Sequence, residues 1–253
     1  MQPTGAGILP SVTPDAVPDP PVRPASTAIV LRPADRGFEV LTVRRGHRAA
    51  FMRNARVFPG GALDEADRGE LAGAAVSWSG DPEELPWRAA ALRELAEEAG
   101  VFLATSPSAV AATGEDLYRE MIRRGTRFEA DRLVYLSNWV TPRGPVRRYD
   151  TRFYVAAVEE SAAATADDDE VFDAVWAAPQ EVLDRAAHGT WEVEFPTRRH
   201  LELLCRFDDS QDVLDYAETQ DQVVRVEPRI LVADDGSWSV VLKGEPGYEE
   251  GLR

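Results

Sequence analysis

The chain holds one cysteine, one lysine and three histidines in 253 residues, and each shortage excludes something. Cys205 alone cannot close an internal disulfide, so nothing ties the chain to an oxidising compartment. Its apolar neighbours, Leu201 to Phe207, mark it as a small buried hydrophobe. His47, His188 and His200 lack the spacing of a metal-ligand set, and each reads as a surface or hydrogen-bonded side chain. Lys243, the single lysine among many arginines, is read as compositional bias. Positive charge is short overall: a net charge of −16 argues against broad binding of nucleic acid or anionic membranes. No run of about twenty apolar residues offers a membrane span. The N-terminus lacks the basic and apolar regions of a signal peptide, so a cytoplasmic protein is expected. There is no G-x-S-x-G nucleophile motif, and Gly5 and Gly7 lie in a proline-rich leader rather than a nucleotide loop.

What is present is enough apolar residue, 44%, for a substantial core. Prolines at 3, 10, 14, 18, 20, 21 and 24 predict a disordered leader over residues 1–24. Ser26–Arg32 and Phe38–Arg44 are β-branched runs that predict a hairpin, and Val57-Phe58 predicts a short strand ending in the Pro59-Gly60-Gly61 turn. Residues 68–86 read as a loop insertion. Helices are expected over 86–99, 114–124, 179–187 and 197–207, with strands over 133–140, 151–158 and 171–176. Two further strands, 223–232 and 237–242, flank the Asp234-Asp235-Gly236 turn. Interposed strands and helices predict a mixed sheet covered on both faces, an α/β fold.

The segment Arg93 to Val101, RELAEEAGV, reads as a helix end with acids in the wrong place. Gly100 is the natural residue to leave the helix, because it adopts positive φ freely. Glu97 and Glu98 then fall in the last turn, where the helix dipole disfavours anions. Glu94 and Glu98 form a like-charge pair four residues apart, which costs roughly 0.2–0.5 kcal/mol. At about 100° per residue, Glu94, Glu97 and Glu98 share one side, opposite Leu92, Leu95, Ala96 and Ala99. Arg93, one turn before Glu97, is placed to hold that carboxylate. Two readings fit: a solvated acidic face, or an all-oxygen site for a hard divalent cation such as Mg²⁺ or Mn²⁺.

Phe58-Pro59-Gly60-Gly61 followed by Arg93–Val101 resembles the Nudix box, G-x5-E-x7-R-E-U-x-E-E-x-G-U with U aliphatic. The second half agrees at every specified position. In the first half Gly61 stands as the leading glycine, and Asp67 occupies the place of the first glutamate, with no role assigned to it. Residues 68 to 92 separate Asp67 from Arg93, 18 more than the family spacing of seven. The enlarged box resembles the Nudix branch that includes peroxisomal coenzyme A diphosphatases. Asn138–Pro142 and Arg147–Phe153 are similar to a second block of that branch.

The resemblance implies a Nudix α/β/α sandwich over residues 25–207, with a C-terminal extension, 208–253, packed on or beside it. It implies Mg²⁺- or Mn²⁺-dependent hydrolysis of a nucleoside diphosphate derivative, with coenzyme A or acyl-coenzyme A as first candidate substrate. ADP-ribose, dinucleotides and damaged nucleotides form the alternative, and a non-hydrolytic nucleotide sensor the third. Glu94, Glu97 and Glu98 are the expected metal ligands. Glu94 and Glu98 are expected to be catalytic, with Glu170 as loop acid or general base after Asp167-Asp168-Asp169. Gly60, Gly61, Arg93 and Gly100 are expected to shape the motif. Arg147, Arg148 and Arg44 are candidate substrate ligands. The last belongs to a basic cluster with Arg45, Arg48, Arg53 and Arg56 that either receives an anion or aids solubility. A homodimer is allowed; nucleic acid and membrane partners are not expected.

Overall fold

The computed structural model describes residues 20–46, 54–106, 110–145, 147–167, 170–220 and 222–251. Its organising element is a strand buried along most of its length. In β1 (Val22–Pro33) the run Ala25 to Leu31 is buried throughout. Alternation sends Ala28 and Val30 to one core and Ile29 and Leu31 to the other, as a strand covered on both faces requires.

The chain continues through β2 (Phe38–Arg45), β3 (Ala55–Val57), β4 (Gly60–Ala62), α1 (Glu70–Ala75), β5 (Val76–Ser77), α2 (Leu85–Ala99), α3 (Gly114–Arg123) and β6 (Phe128–Glu129). Then come β7 (Val134–Val140), β8 (Arg148–Ala157), β9 (Val171–Ala177), α4 (Pro179–Ala187), β10 (Glu192–Val193), α5 (Phe195–Leu204) and α6 (Ser210–Glu218). Last are β11 (Arg225–Val226), β12 (Arg229–Val232) and β13 (Trp238–Val241). Nine strands form one mixed sheet in the order β10-β3-β2-β1-β8-β7-β11, with β4 on β1 and β9 on β2. β1 is antiparallel to β2 and β4 and parallel to β8, from Val22↔Arg148 to Leu31↔Ala157. One core holds residues of α1, α2 and α3, and the other holds Val182, Leu201, Leu204, Val213 and Ala217 from α4, α5 and α6. The result is the expected α/β/α sandwich.

α2 forms because alanine and leucine dominate it, Pro86 sits in its first turn, and Gly100 ends it at φ 64° with its N–H on the carbonyl of Ala96. Among the described residues no helix is long and apolar enough to cross a membrane.

Several boundaries differ from expectation. Residues 1–19 lie outside the described residues, but the leader does not extend to 24, since Val22–Pro24 already pair with Arg148–Asp150. The insertion is not a plain loop. It folds as a 3-10 turn over Glu65–Arg68, α1, β5 paired with β6, and a second 3-10 turn over Pro82–Glu84. The chain beyond 207 is woven into the domain: α6 supplies Val213 and Ala217 to the core, and β11 pairs with β7. Sequence patterning missed α6, whose start is marked by Asp209 accepting from the N–H of Gln211 at 2.7 Å. Cys205 is exposed rather than buried, because it caps α5 just past the inward-facing Leu201 and Leu204.

Val213→Asp places a charge in the second core, and the expected loss is ~3 kcal/mol or more of stability. Urea unfolding followed by tryptophan fluorescence measures it. A midpoint equal to wild type would place α6 outside the cooperative unit.

Candidate metal centre

The acids of α2 do not face solvent together. Glu94 and Glu98 are buried, and both lean on the glycines of β4. The Gly60 N–H donates to Glu98 Oε2 at 2.9 Å. The Glu94 carboxylate rests against Gly61, where a Cβ would lie 2.5 Å from its Oε1. At Gly60 a Cβ would meet the backbone carbonyl of Ser26 at 2.5 Å. Both glycines are therefore needed for close approach. The expected tight turn is instead strand, with Gly60 opposite Thr27 and Gly61 opposite Ser26.

Arg93 is buried beside them and uses all five of its N–H donors. Nε and Nη2 grip Asp67 at 2.8 and 2.9 Å, and Nη2 also reaches the Ala62 carbonyl at 3.3 Å. Nη1 bridges Glu94 at 2.8 Å and Glu97 at 3.2 Å. Asp67, to which the sequence assigned no role, is the anchor of this fork. It also accepts from the Asp64 N–H at 2.7 Å and from the Tyr118 hydroxyl at 2.6 Å. Glu97 differs from Glu94 and Glu98 in its partners. One of its oxygens takes Arg93, and the other takes the Gly114 N–H at 2.6 Å, so protein donors already hold both.

Burial pushes the Glu94 carboxyl up to about 7 against the pull of Arg93, with Glu97 and Glu170 adding repulsion. Burial also raises Glu98 well above the carboxylate range, reinforced by Glu94 and opposed by the Gly60 N–H and Arg45. Glu97 is raised by burial and drawn back by Arg93 and Gly114. The pair Glu94–Glu98 is thus short of positive charge: Glu94 shares Arg93 with Asp67 and Glu97, and Glu98 has only the pull of Arg45 and the Gly60 N–H. Among the described residues no group of three or more His, Cys, Asp or Glu side chains is arranged to hold a metal ion. Two carboxylates with no nitrogen or sulfur donor make an open, hard-oxygen set. Such a set fits Mg²⁺ or Mn²⁺, which keep waters and take further oxygens from a substrate.

The other candidates separate. Glu170 is exposed just before β9, its carbonyl accepts from the Gly46 N–H at 2.8 Å, and its charge acts on both Glu94 and Glu98. Arg44 lies opposite Arg56 across β2–β3 and among its cationic neighbours, so it is not beside the carboxylates. Strand alternation puts the next residue there instead: Arg45 acts on Glu98 and contacts Glu194 at 3.4 Å. Arg56 is buried, donates to the Asp173 carboxylate and carbonyl, and stacks on Trp191 at 4.0 Å. Arg148 is buried, and its guanidinium donates to the Thr141 carbonyl at 3.0 Å and to Glu227 at 3.1 Å. Arg147 is exposed. His200 is buried between Ser137 and the Pro196 carbonyl and pushed down to about 4 by burial, a hydrogen-bonded core histidine as expected. His47, Arg48, Arg53, Asp168 and Asp169 lie outside the described residues. Sequence reasoning missed Tyr118 and Gly114, whose helix starts 13 residues after the motif with no spacing rule linking the two.

No family model matches the chain. Putative nudix hydrolase 7 of Caenorhabditis elegans is 31% identical over 180 residues, 67% of this chain and 57% of that protein. A crystal structure of a NUDIX hydrolase from Alicyclobacillus acidocaldarius superposes with a TM-score of 0.64 at 26% identity, covering 77% of this chain and 96% of that one. The chain belongs to the Nudix hydrolase family. Another Nudix relative, acyl-coenzyme A diphosphatase NUDT19 of Gallus gallus, is 27% identical over 285 residues, 87% of this chain and 75% of that protein. The chain spans just over half the length, 57%, of the nematode relative.

Two expectations follow for this Nudix centre. In chelator, Glu94 keeps its proton in the folded state up to about 7, while in the unfolded chain it ionises near its ordinary 4.5. Its contribution to stability is therefore present below 4.5 and lost as pH rises towards 7. Glu94→Gln should stabilise the cation-free protein relative to wild type more at pH 8 than at pH 5, read from denaturant midpoints; the reverse order contradicts it. Gly61→Ala should displace the Glu94 carboxylate and weaken Mn²⁺ affinity about tenfold or more, measured by calorimetry. Unchanged affinity would remove the close-approach argument.

Proposed function

We propose that the protein hydrolyses the pyrophosphate linkage of a nucleoside diphosphate derivative, using Mg²⁺ or Mn²⁺, with coenzyme A or acyl-coenzyme A as substrate class. The observation that carries this reading is the buried Glu94–Glu98 pair, held against a glycine strand with only a share of Arg93 to offset its charge. Glu94 and Glu98 would hold the divalent ion. When bound, it supplies charge neutralisation, polarises a phosphoryl oxygen and acidifies water.

The remaining roles belong to the chain. Arg93, fixed by Asp67, orients the Glu94 carboxylate and is itself too enclosed to meet substrate. Glu170, exposed and within electrostatic reach of both buried acids, takes a proton from the attacking water. Arg45, whose contact with Glu194 at 3.4 Å is loose, is available to a substrate phosphate. Water adds its hydroxyl to one phosphorus and its proton ends on the oxygen of the leaving phosphate. From coenzyme A the products are 3′,5′-ADP and a phosphopantetheine. Support for that substrate comes from the name of the chicken and human relatives, acyl-coenzyme A diphosphatase, at 27% and 28% identity.

A panel of diphosphates read by mass spectrometry tests the substrate. The expected result is 3′,5′-ADP from coenzyme A at a far higher kcat/KM than the turnover of ADP-ribose. The opposite ranking selects the second substrate class, and no turnover at all favours a nucleotide sensor. Glu98→Gln should lower kcat by ~100-fold or more while thermal unfolding stays cooperative. Full activity in excess EDTA would overturn the mechanism.

A further inference from the structure

The hold on Arg93 does not come from the Nudix box alone. Helix α3 lies outside the box and reaches into it with two groups one turn apart. The Gly114 N–H takes Glu97, and the Tyr118 hydroxyl takes Asp67 Oδ1 at 2.6 Å. Tyr118 is fully buried, and its ring meets Phe128 edge-on with centroids 6.5 Å apart, so packing fixes where the hydroxyl points.

We propose that Tyr118 is a positioning residue of the cation site, acting on Glu94 through Asp67 and Arg93. The inference rests on the reading of Glu94 and Glu98 as cation ligands. Asp67 receives four donors: two from the Arg93 fork, one from the Asp64 backbone and one from Tyr118. A bidentate fork demands that carboxylate and guanidinium share a plane. Tyr118 supplies the donor that comes from outside the box, and it fixes the rotation of the Asp67 carboxylate. The guanidinium is rigid, so the plane set at Nε and Nη2 also sets the direction of Nη1, which donates to Glu94 Oε1 at 2.8 Å. Glu94 in turn rests on Gly61, where small displacements meet backbone. Loss of the hydroxyl leaves the buried carboxylate with three of its four donors and a weaker restraint on its rotation, and the planar fork carries any such rotation to the ligand.

The test is Mn²⁺ binding to the full-length, cation-free protein, followed by loss of the free Mn²⁺ electron paramagnetic resonance signal. Wild type is compared with Tyr118→Phe, which keeps the ring, and with Leu117→Val, which perturbs the same buried helix face without removing a hydrogen bond. Tyr118→Phe is expected to weaken Mn²⁺ binding about tenfold and to alter the bound-ion spectrum, with Leu117→Val within about twofold of wild type. Asp67→Asn breaks the next link, so adding Tyr118→Phe to it should cost little more. Wild-type affinity in Tyr118→Phe, equal losses in both α3 variants, or full additivity with Asp67→Asn would overturn the positioning role. Failure of wild type to bind Mn²⁺ would instead overturn the ligand assignment to Glu94 and Glu98, and this inference with it.

Discussion

The site depends on one buried ion pair, Arg93 with Asp67. A guanidinium taken out of water is costly, and it persists only when every donor is matched and a carboxylate lies alongside. Here all five donors are used, and the partner carboxylate is the most buried acid of the cluster. Burial alone would lower the Arg93 pKa, but the surrounding acids raise it overall, so its charge is permanent. That fixed charge holds three separate pieces of chain together: the 3-10 turn that carries Asp67, the strand β4 and the helix α2.

The same arrangement leaves a deficit. One guanidinium faces Asp67, Glu94 and Glu97, and Glu98 has only a backbone N–H and the more distant Arg45. The fold therefore builds a region where negative charge is unfavourable unless protonated or met by an external cation. A plain solvated acidic face has neither this burial nor this enclosure. The sign of the site, more than the identity of any one residue, is what suits it to a cation and an anionic substrate together.

The segments legible in sequence were those where one local rule decides the outcome. The β1–β2 hairpin followed from two β-branched runs, and α4 and the end of α2 followed from Pro179 and Gly100. Glu94 and Glu98 were legible because the motif is contiguous. What failed to show was tertiary. The role of Asp67 depends on Arg93, 26 residues away, and Tyr118 lies 51 residues from Asp67 in a different helix. The partners of Glu97 were equally hidden, because helical periodicity is blind to α3 docking on its carboxylate. Arg44 and Arg45 differ by a single step along a strand, and only the register of β2 decides which one nears the acids. Arg148 carried the resemblance of a substrate block, yet its environment is a buried hydrogen-bonded corner.

β1 pairs with three strands at once, and β4 meets it over only three residues, with Gly60 opposite Thr27 and Gly61 opposite Ser26. A slip of one place in that short ladder would bring Pro59 or Ala62 to positions where only hydrogen atoms fit. The geometry of the Glu94–Glu98 pair and the strand alignment are thus one variable. A chain that closed its sheet out of step would not bring Glu94 and Glu98 against β4, so, on the proposed reading, cation binding would report on folding fidelity and misaligned molecules would be silent towards the metal.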